Sequence, residues 1–131
     1  MLKIGHRGAA GHAPENTIKS FEKALEFGVD AIELDVRATH GGEIAVFHDP
    51  TLKRIFGWDV AVNSLTKEDF LRVNSRIGAE PIPKLDEVLG RFGRETILNI
   101  ELKEEGIAER VLAMIQGRNM ADAVIVSAFD D

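Results

Sequence analysis

Three acids, two histidines and two cations in this sequence occupy positions from which they could act together. Glu33 and Asp35 lie two apart in Ala31-Ile32-Glu33-Leu34-Asp35-Val36, and Glu101 lies in Thr96-Ile97-Leu98-Asn99-Ile100-Glu101-Leu102-Lys103. On a strand with a side-chain period of two, Glu33 and Asp35 share one face, roughly 7 Å apart, while a neighbouring strand lies only about 4.8 Å away. If the Glu101 strand is that neighbour, three carboxylates converge. Such a cluster repels itself at neutral pH unless its pKa values rise or a cation sits among the oxygens, and all-oxygen donors suit Mg²⁺ or Ca²⁺. The bland alternative is a solvated strand face, and Glu33-x-Asp35 alone does not separate the two.

His6 and His48 each close an extended run. Two imidazoles flanking a phosphodiester can divide the work, one taking a proton from the attacking hydroxyl and the other giving one to the leaving oxygen. Arg7 has the planar fork that matches two phosphate oxygens, and Lys103 adds a compact charge on the Glu101 strand. Both would equally well neutralise the acids. His12 and His40 have no partner pattern and read as structural, while Gly8 and Gly11 read as loop formers.

These residues need elements to hold them. Ile4 leads into Gly5-His6-Arg7-Gly8, a short strand and its exit loop. Ile18, Phe21, Ala24 and Leu25 recur at helical spacing, with Gly28 placed to end the helix. Residues 31–36 and 96–103 alternate as strands, and 43–50 form another extended run that stops at Pro50. The stretch from Thr51 to Pro83 is irregular, apart from a helix predicted from the capping-box pattern Thr66-Lys67-Glu68-Asp69 to Val73. Leu85, Val88, Leu89 and Phe92 predict one helix, and Ile107, Val111, Leu112, Met114 and Ile115 another. Ala123-Val124-Ile125-Val126-Ser127 reads as a strand buried on both faces. Strands alternating with helices imply right-handed βαβ units and a parallel sheet, with polar residues gathered where strands run into the following loops.

Composition narrows the function. Of 131 residues, 44% are hydrophobic and 29% charged, the balance of a globular protein. A net charge of -6 argues against a nucleic-acid partner, and zero cysteines exclude disulfides and thiolate metal sites. No apolar run approaches the length of a spanning helix, and the polar start Met1-Leu2-Lys3-Ile4 is not a secretory signal, so no membrane anchor is expected and the location reads as cytoplasmic.

The ordered set His6-Arg7-Gly8, Pro14-Glu15-Asn16-Thr17, Glu33-Leu34-Asp35-Val36, His48-Asp49-Pro50-Thr51-Leu52, Ile82-Pro83-Lys84-Leu85 and Asn99-Ile100-Glu101-Leu102-Lys103 resembles the glycerophosphodiester phosphodiesterase family. Ser127-Ala128-Phe129-Asp130 is similar to that family's fourth strand. One turn departs from the family pattern, reading Thr39-His40-Gly41-Gly42 where Thr-x-Asp-Gly is usual.

The resemblance implies an α/β fold of the (β/α)8 TIM-barrel type. Residues 1–131 would supply its first four β/α units, with a small insertion after the second strand at about residues 49–82. It implies hydrolysis of a small-molecule glycerophosphodiester to sn-glycerol 3-phosphate and an alcohol, with the substrate's own hydroxyl attacking and water opening a cyclic phosphate. His6 and His48 would be the catalytic acid and base, Glu33, Asp35 and Glu101 the ligands of a divalent cation (Mg²⁺ or Ca²⁺), and Arg7 and Lys103 the phosphate-binding cations. Glu15 and Asn16 would fix the first loop and helix start. A complete barrel takes about 250 residues, so the other half would come from further chain or from a second copy in a homodimer, unless the half persists alone. The alternatives are a phospholipase-C- or -D-like barrel acting on lipids, for which Ile55-Phe56-Gly57-Trp58 is the cue, or a non-catalytic half-barrel used for binding or association.

Overall fold

Alternation in the run beginning at Ala31 becomes a strand whose Ile32, Leu34 and Val36 are wholly buried. The computed structural model describes residues 2–128. In chain order its strands are β1 (Ile4–His6), β2 (Ala31–Ala38), β3 (Ile44–Val46), β4 (Ile97–Leu102) and β5 (Val124–Ala128). Its α-helices are α1 (Ile18–Glu26), α2 (Lys53–Phe56), α3 (Lys67–Asn74), α4 (Leu85–Phe92) and α5 (Ala108–Gly117). The sheet runs β1-β2-β4-β5, all parallel. Each parallel step carries at least one helix in its crossover, as parallel pairing requires.

One face of the sheet is apolar. Leu98, Ile100 and Leu102 of β4 join Ile32, Leu34 and Val36, and against them pack Phe21 and Ala24 of α1, Leu85, Val88, Leu89 and Phe92 of α4, and Val111 and Ile115 of α5. Burying each such side chain contributes about 1.5–3 kcal/mol. The helix ends follow local chemistry. Thr17 caps α1 by accepting from the Ser20 amide at 3.1 Å, and Gly28, at φ 71°, follows its last turn. Thr66 and Asp69 form the expected reciprocal capping box on α3.

The structure settles one point the sequence left open and corrects one expectation. β3 is not a member of the parallel set: it turns back and pairs antiparallel with the end of β2, Val36 opposite Val46 and Ala38 opposite Ile44. A tight turn, with no helix in it, permits only that direction. The turn at Thr39-His40-Gly41-Gly42 does without the family's acid because Thr39 Oγ1 donates to Glu43 Oε1 at 2.8 Å and accepts from the Glu43 amide at 3.1 Å. Secondly, β5 is not buried on both faces. Val124 and Val126 pack on the core, but Ile125 is 56% exposed, because β5 is an edge and no element among the described residues covers its other face. Phe129 and Asp130 lie outside the described residues.

The irregular region holds more structure than its sequence suggests. α2, a 3-10 turn at Val62–Ser64 and α3 enclose a second apolar cluster of Ala45, Phe47, Leu52, Val62, Leu65, Phe70, Val73 and Ile82, on which Phe56 and Trp58 pack. Asn74 closes it, donating to the Ile82 carbonyl at 3.0 Å and accepting from the Ile82 amide at 2.8 Å.

Ile100→Ala is expected to cost about 2–5 kcal/mol by leaving a cavity under the sheet. Thr66→Ala, on the exposed cap, should cost about 1 kcal/mol. Urea denaturation of the two variants checks the contrast, and equal losses would contradict this assignment of faces.

Candidate active site

With the apolar residues of β2 and β4 committed to the helices, their alternate residues line the opposite face. Register then sets the neighbours. His6 stands opposite Glu33, Glu33 opposite Asn99, and Asp35 opposite Glu101. One carboxylate oxygen from each of Glu33, Asp35 and Glu101 lies within 4.8 Å of the others. The solvated-face reading fails for this group, since the Asp35 side chain is only 1% exposed.

The first loop folds around Asp35. Asn16, buried at φ 54°, donates from its amide to Asp35 Oδ2 at 3.0 Å and accepts from the Asp35 backbone at 3.4 Å. Arg7, also left-handed at φ 52°, brings Nε to 3.5 Å from Asp35 Oδ2 and donates from Nη1 to Glu15 Oε2 at 3.1 Å. Two non-glycine residues in that region cost of order 1–3 kcal/mol each, and such strain persists only where surrounding contacts over-determine it. Here the Arg7 carbonyl accepts from the Asn16 amide and from Ser20 Oγ, both at 2.9 Å. Gly8, at φ 86°, completes the turn: a Cβ there would meet Phe21 Cδ1 at 2.9 Å.

The remaining site residues fall on either side. Lys103 Nζ is 3.2 Å from Glu101 Oε1 and 4.0 Å from Asp35 Oδ1. His6, 70% exposed, has Nε2 3.8 Å from Glu33 Oε2, an electrostatic contact longer than a hydrogen bond. His48 follows β3. Its Nδ1 is 2.8 Å from Asp49 Oδ1, and its carbonyl accepts from Arg37 Nε at 2.8 Å. Arg7 and Lys103 are thus both engaged with carboxylates in this structure.

Burial, then the charges of Asp35 and Glu101, push Glu33 up to about 7. Burial also raises Asp35, against the opposing hydrogen bond from Asn16. On the other side, hydrogen bonds from Arg54 hold Asp49 down at about 2 and lower Glu15. Among the described residues, Glu33 Oε1, Asp35 Oδ1 and Asn99 Oδ1 are buried without a hydrogen-bond partner. Two unpartnered carboxylate oxygens in a converging triad fit a hard divalent cation, which would satisfy both and lift their mutual repulsion.

Sequence reasoning set aside Asn16 and Glu15 as loop residues and passed over Arg37, Asp49, Arg54 and Asn99. Asn99 shares the face of Glu101, and Asp49 adjoins His48, so each carried a signal. Arg54 carried none. His12 stacks edge-on against Phe27 at 4.8 Å and His40 is exposed on its turn, away from the triad.

The family model for glycerophosphoryl diester phosphodiesterases matches residues 6–129. The chain belongs to that family. A glycerophosphodiester phosphodiesterase of Caldanaerobacter subterraneus is 36% identical over 141 aligned residues, covering 98% of this chain and 58% of that protein. The crystal structure of a glycerophosphodiester phosphodiesterase from Thermotoga maritima superposes with a TM-score of 0.86 at 36% identity, covering 99% of this chain and 55% of that one. A counterpart from Agrobacterium tumefaciens gives 0.87 at 32% identity, with 99% and 59% covered. The chain therefore spans somewhat over half the length of the relatives it matches. Its fold is of the TIM-barrel type found in this family, of which it supplies the strands β1, β2, β4 and β5.

The Glu33 carboxyl holds its proton more tightly folded, at about 7, than at its ordinary 4.5. In the metal-free chain it therefore lowers stability as pH rises from about 4.5 to about 7, by about 3 kcal/mol in all, with no further loss above. Subtracting urea-unfolding profiles of Glu33→Gln from those of the parent between pH 4 and pH 9 isolates this slope. A difference that stays flat through that window would contradict the raised pKa.

Proposed function

We propose that this chain carries the catalytic half of a metal-dependent glycerophosphodiester phosphodiesterase. The reaction yields sn-glycerol 3-phosphate and an alcohol from a small diester in the cytoplasm. The observation that carries the reading is the convergence of Glu33, Asp35 and Glu101, with two oxygens unpartnered, on the strand face that also bears His6.

Glu33, Asp35 and Glu101 would hold a Mg²⁺ or Ca²⁺ ion, whose chemistry when bound is to stabilise charge on the phosphate and on the attacking hydroxyl. The chain's own groups do the rest. Asn16 aims Asp35 from one side, and Lys103 sits beside Glu101 on the other. Arg7 and Lys103 supply donors to the non-bridging phosphate oxygens, each keeping N–H groups beyond those that meet the acids. One imidazole of the pair His6 and His48 accepts the proton of the attacking glycerol hydroxyl, and the other donates one to the departing alcohol oxygen. The roles reverse when water opens the cyclic phosphate.

Only two residues of the triad are well enclosed, Asp35 and Glu33, while Glu101 and His6 stand nearer solvent on an open sheet. β1 and β5 are edges of that sheet, and unpaired edges invite pairing. For the 131-residue chain by itself we propose a homodimer whose second copy covers them, detectable as a solution mass of twice 14.4 kDa. No helix among the described residues is long and apolar enough to cross a membrane. Of the lipid cue, Phe56 and Trp58 pack on the second cluster and Ile55 is 42% exposed.

Glycerophosphocholine with Mg²⁺ or Ca²⁺ should release glycerol 3-phosphate. His6→Ala and His48→Ala should each lose about 10²-fold or more in kcat. Calorimetric titration with the cation alone should show binding that Asp35→Asn abolishes. A well-folded chain that binds the cation but never turns over would replace catalysis by the non-catalytic binding reading. Full activity after exhaustive chelation would reject the metal.

A further inference from the structure

Outside the triad, the densest set of ionic contacts joins two segments distant in sequence, the loop after β1 and residues 48–54. Arg54, on α2, places Nε 2.8 Å from Asp49 Oδ2 and Nη2 3.0 Å from Asp49 Oδ1, a bidentate contact. The other side of the same guanidinium meets Glu15, with Nη1 to Oε1 and Nη2 to Oε2 both at 2.8 Å. Glu15 in turn accepts from Arg7, which lies against Asp35, and Asp49 faces Nδ1 of His48. The chain of contacts therefore runs from one candidate proton-transfer group, through Arg54, Glu15 and Arg7, to the candidate metal ligand Asp35.

Resting on the phosphodiesterase reading, we propose that Arg54 is a positioning residue: it locks the His48–Asp49 pair to the first loop and so holds the His48 ring in one orientation and one tautomer. The physical argument begins at Asp49. Its carboxylate is 19% exposed and without Arg54 would be free to rotate towards water. Doubly held, it stays ionised, at about 2, and offers His48 only acceptor oxygens. Nδ1 of a neutral His48 must then be the donor, which leaves the Nε2 lone pair open to accept a proton.

Planarity selects arginine here. A guanidinium presents two bidentate edges at once, whereas a lysine ammonium is a point charge on a flexible stem. The clamp also explains why Glu15 is lowered although partly buried, since the hydrogen bonds from Arg54 outweigh burial. Residues 49 and 54 belong to the segment around the second apolar cluster, and Glu15 to the loop after β1. Among the described residues neither apolar cluster takes side chains from both pieces, so the ion pairs are what directly links them here.

The test reads the tautomer and the kinetics in the full chain. Imidazole ¹⁵N shifts, assigned with His48→Gln, should show His48 as the Nδ1–H form. Arg54→Ala should convert it to a mixture. In the same variant kcat should fall on the order of 10- to 100-fold with KM changed less than about threefold, because the ring is displaced rather than the substrate lost. Arg54→Lys should recover little of it. Millimolar guanidinium ion should restore Arg54→Ala and leave the parent unaffected, which a merely structural role would not produce. If Arg54→Ala does not fold, Asp49→Asn serves: it keeps the size, removes the charge, and should shift His48 towards Nε2–H. An unchanged tautomer in either variant, or a KM effect at constant kcat, would overturn the clamp. A parent chain that never hydrolyses diester while its His48 tautomer still depends on Arg54 would leave the clamp standing and remove the activity instead.

Discussion

The parallel register of β2 on β4 is the constraint to which the rest of the molecule responds. It places Asp35 opposite Glu101 with Glu33 one step away, concentrating negative charge on a partly enclosed face. Burial raises both Glu33 and Asp35, and at Glu33 the charges of Asp35 and Glu101 add to it, since carboxylates that close cannot all ionise freely. Asn16 and Arg7 adopt left-handed backbone to reach Asp35, and Lys103 lies across Glu101. Part of the folding free energy is held at this site as strain and uncompensated charge, the condition in which a bound cation has most to relieve.

The two faces of the sheet divide the tasks. Large aliphatic side chains of β2 and β4 meet α1, α4 and α5 and supply stability, while the residues between them carry the candidate chemistry. His48 and Asp49 arrive differently, from the end of the β2–β3 hairpin and the second cluster beyond it. That segment has an apolar core of its own, but its connection to the first loop is ionic, through Arg54 and Glu15. An ionic joint fixes direction as well as distance, which suits the single ring orientation proposed for His48. The same face ends at the open edges β1 and β5, in keeping with a chain that spans little more than half of its relatives.

Much of this was legible in the residues. Thr66 announced its helix because capping is local, a side chain meeting an amide three residues on. The faces of β2 and β4 were legible for a similar reason, since alternation with period two is a property of any strand. The antiparallel course of β3 was less so: an extended run states its conformation and not its direction, which the tight turn at Gly41-Gly42 decides. β5 misled because a continuous apolar run describes what could be buried, and Ile125 finds no cover among the described residues. Asn16 was read as a loop residue, and it is one, but its buried amide also holds Asp35, a contact across 19 positions that no local pattern encodes.

By itself the sequence determined which residues alternate, where helices begin, and that acids, imidazoles and cations recur in the order of one family, because each of these is a relation between near neighbours or a composition. The tertiary structure alone decided that Glu33, Asp35 and Glu101 share one point, that Arg7 and Lys103 lie on the acids, and that Arg54 spans Asp49 and Glu15. Those are relations between segments brought together only when strands pair and loops close over them. Electrostatic interaction depends on distance through space, and distance along the chain does not set it.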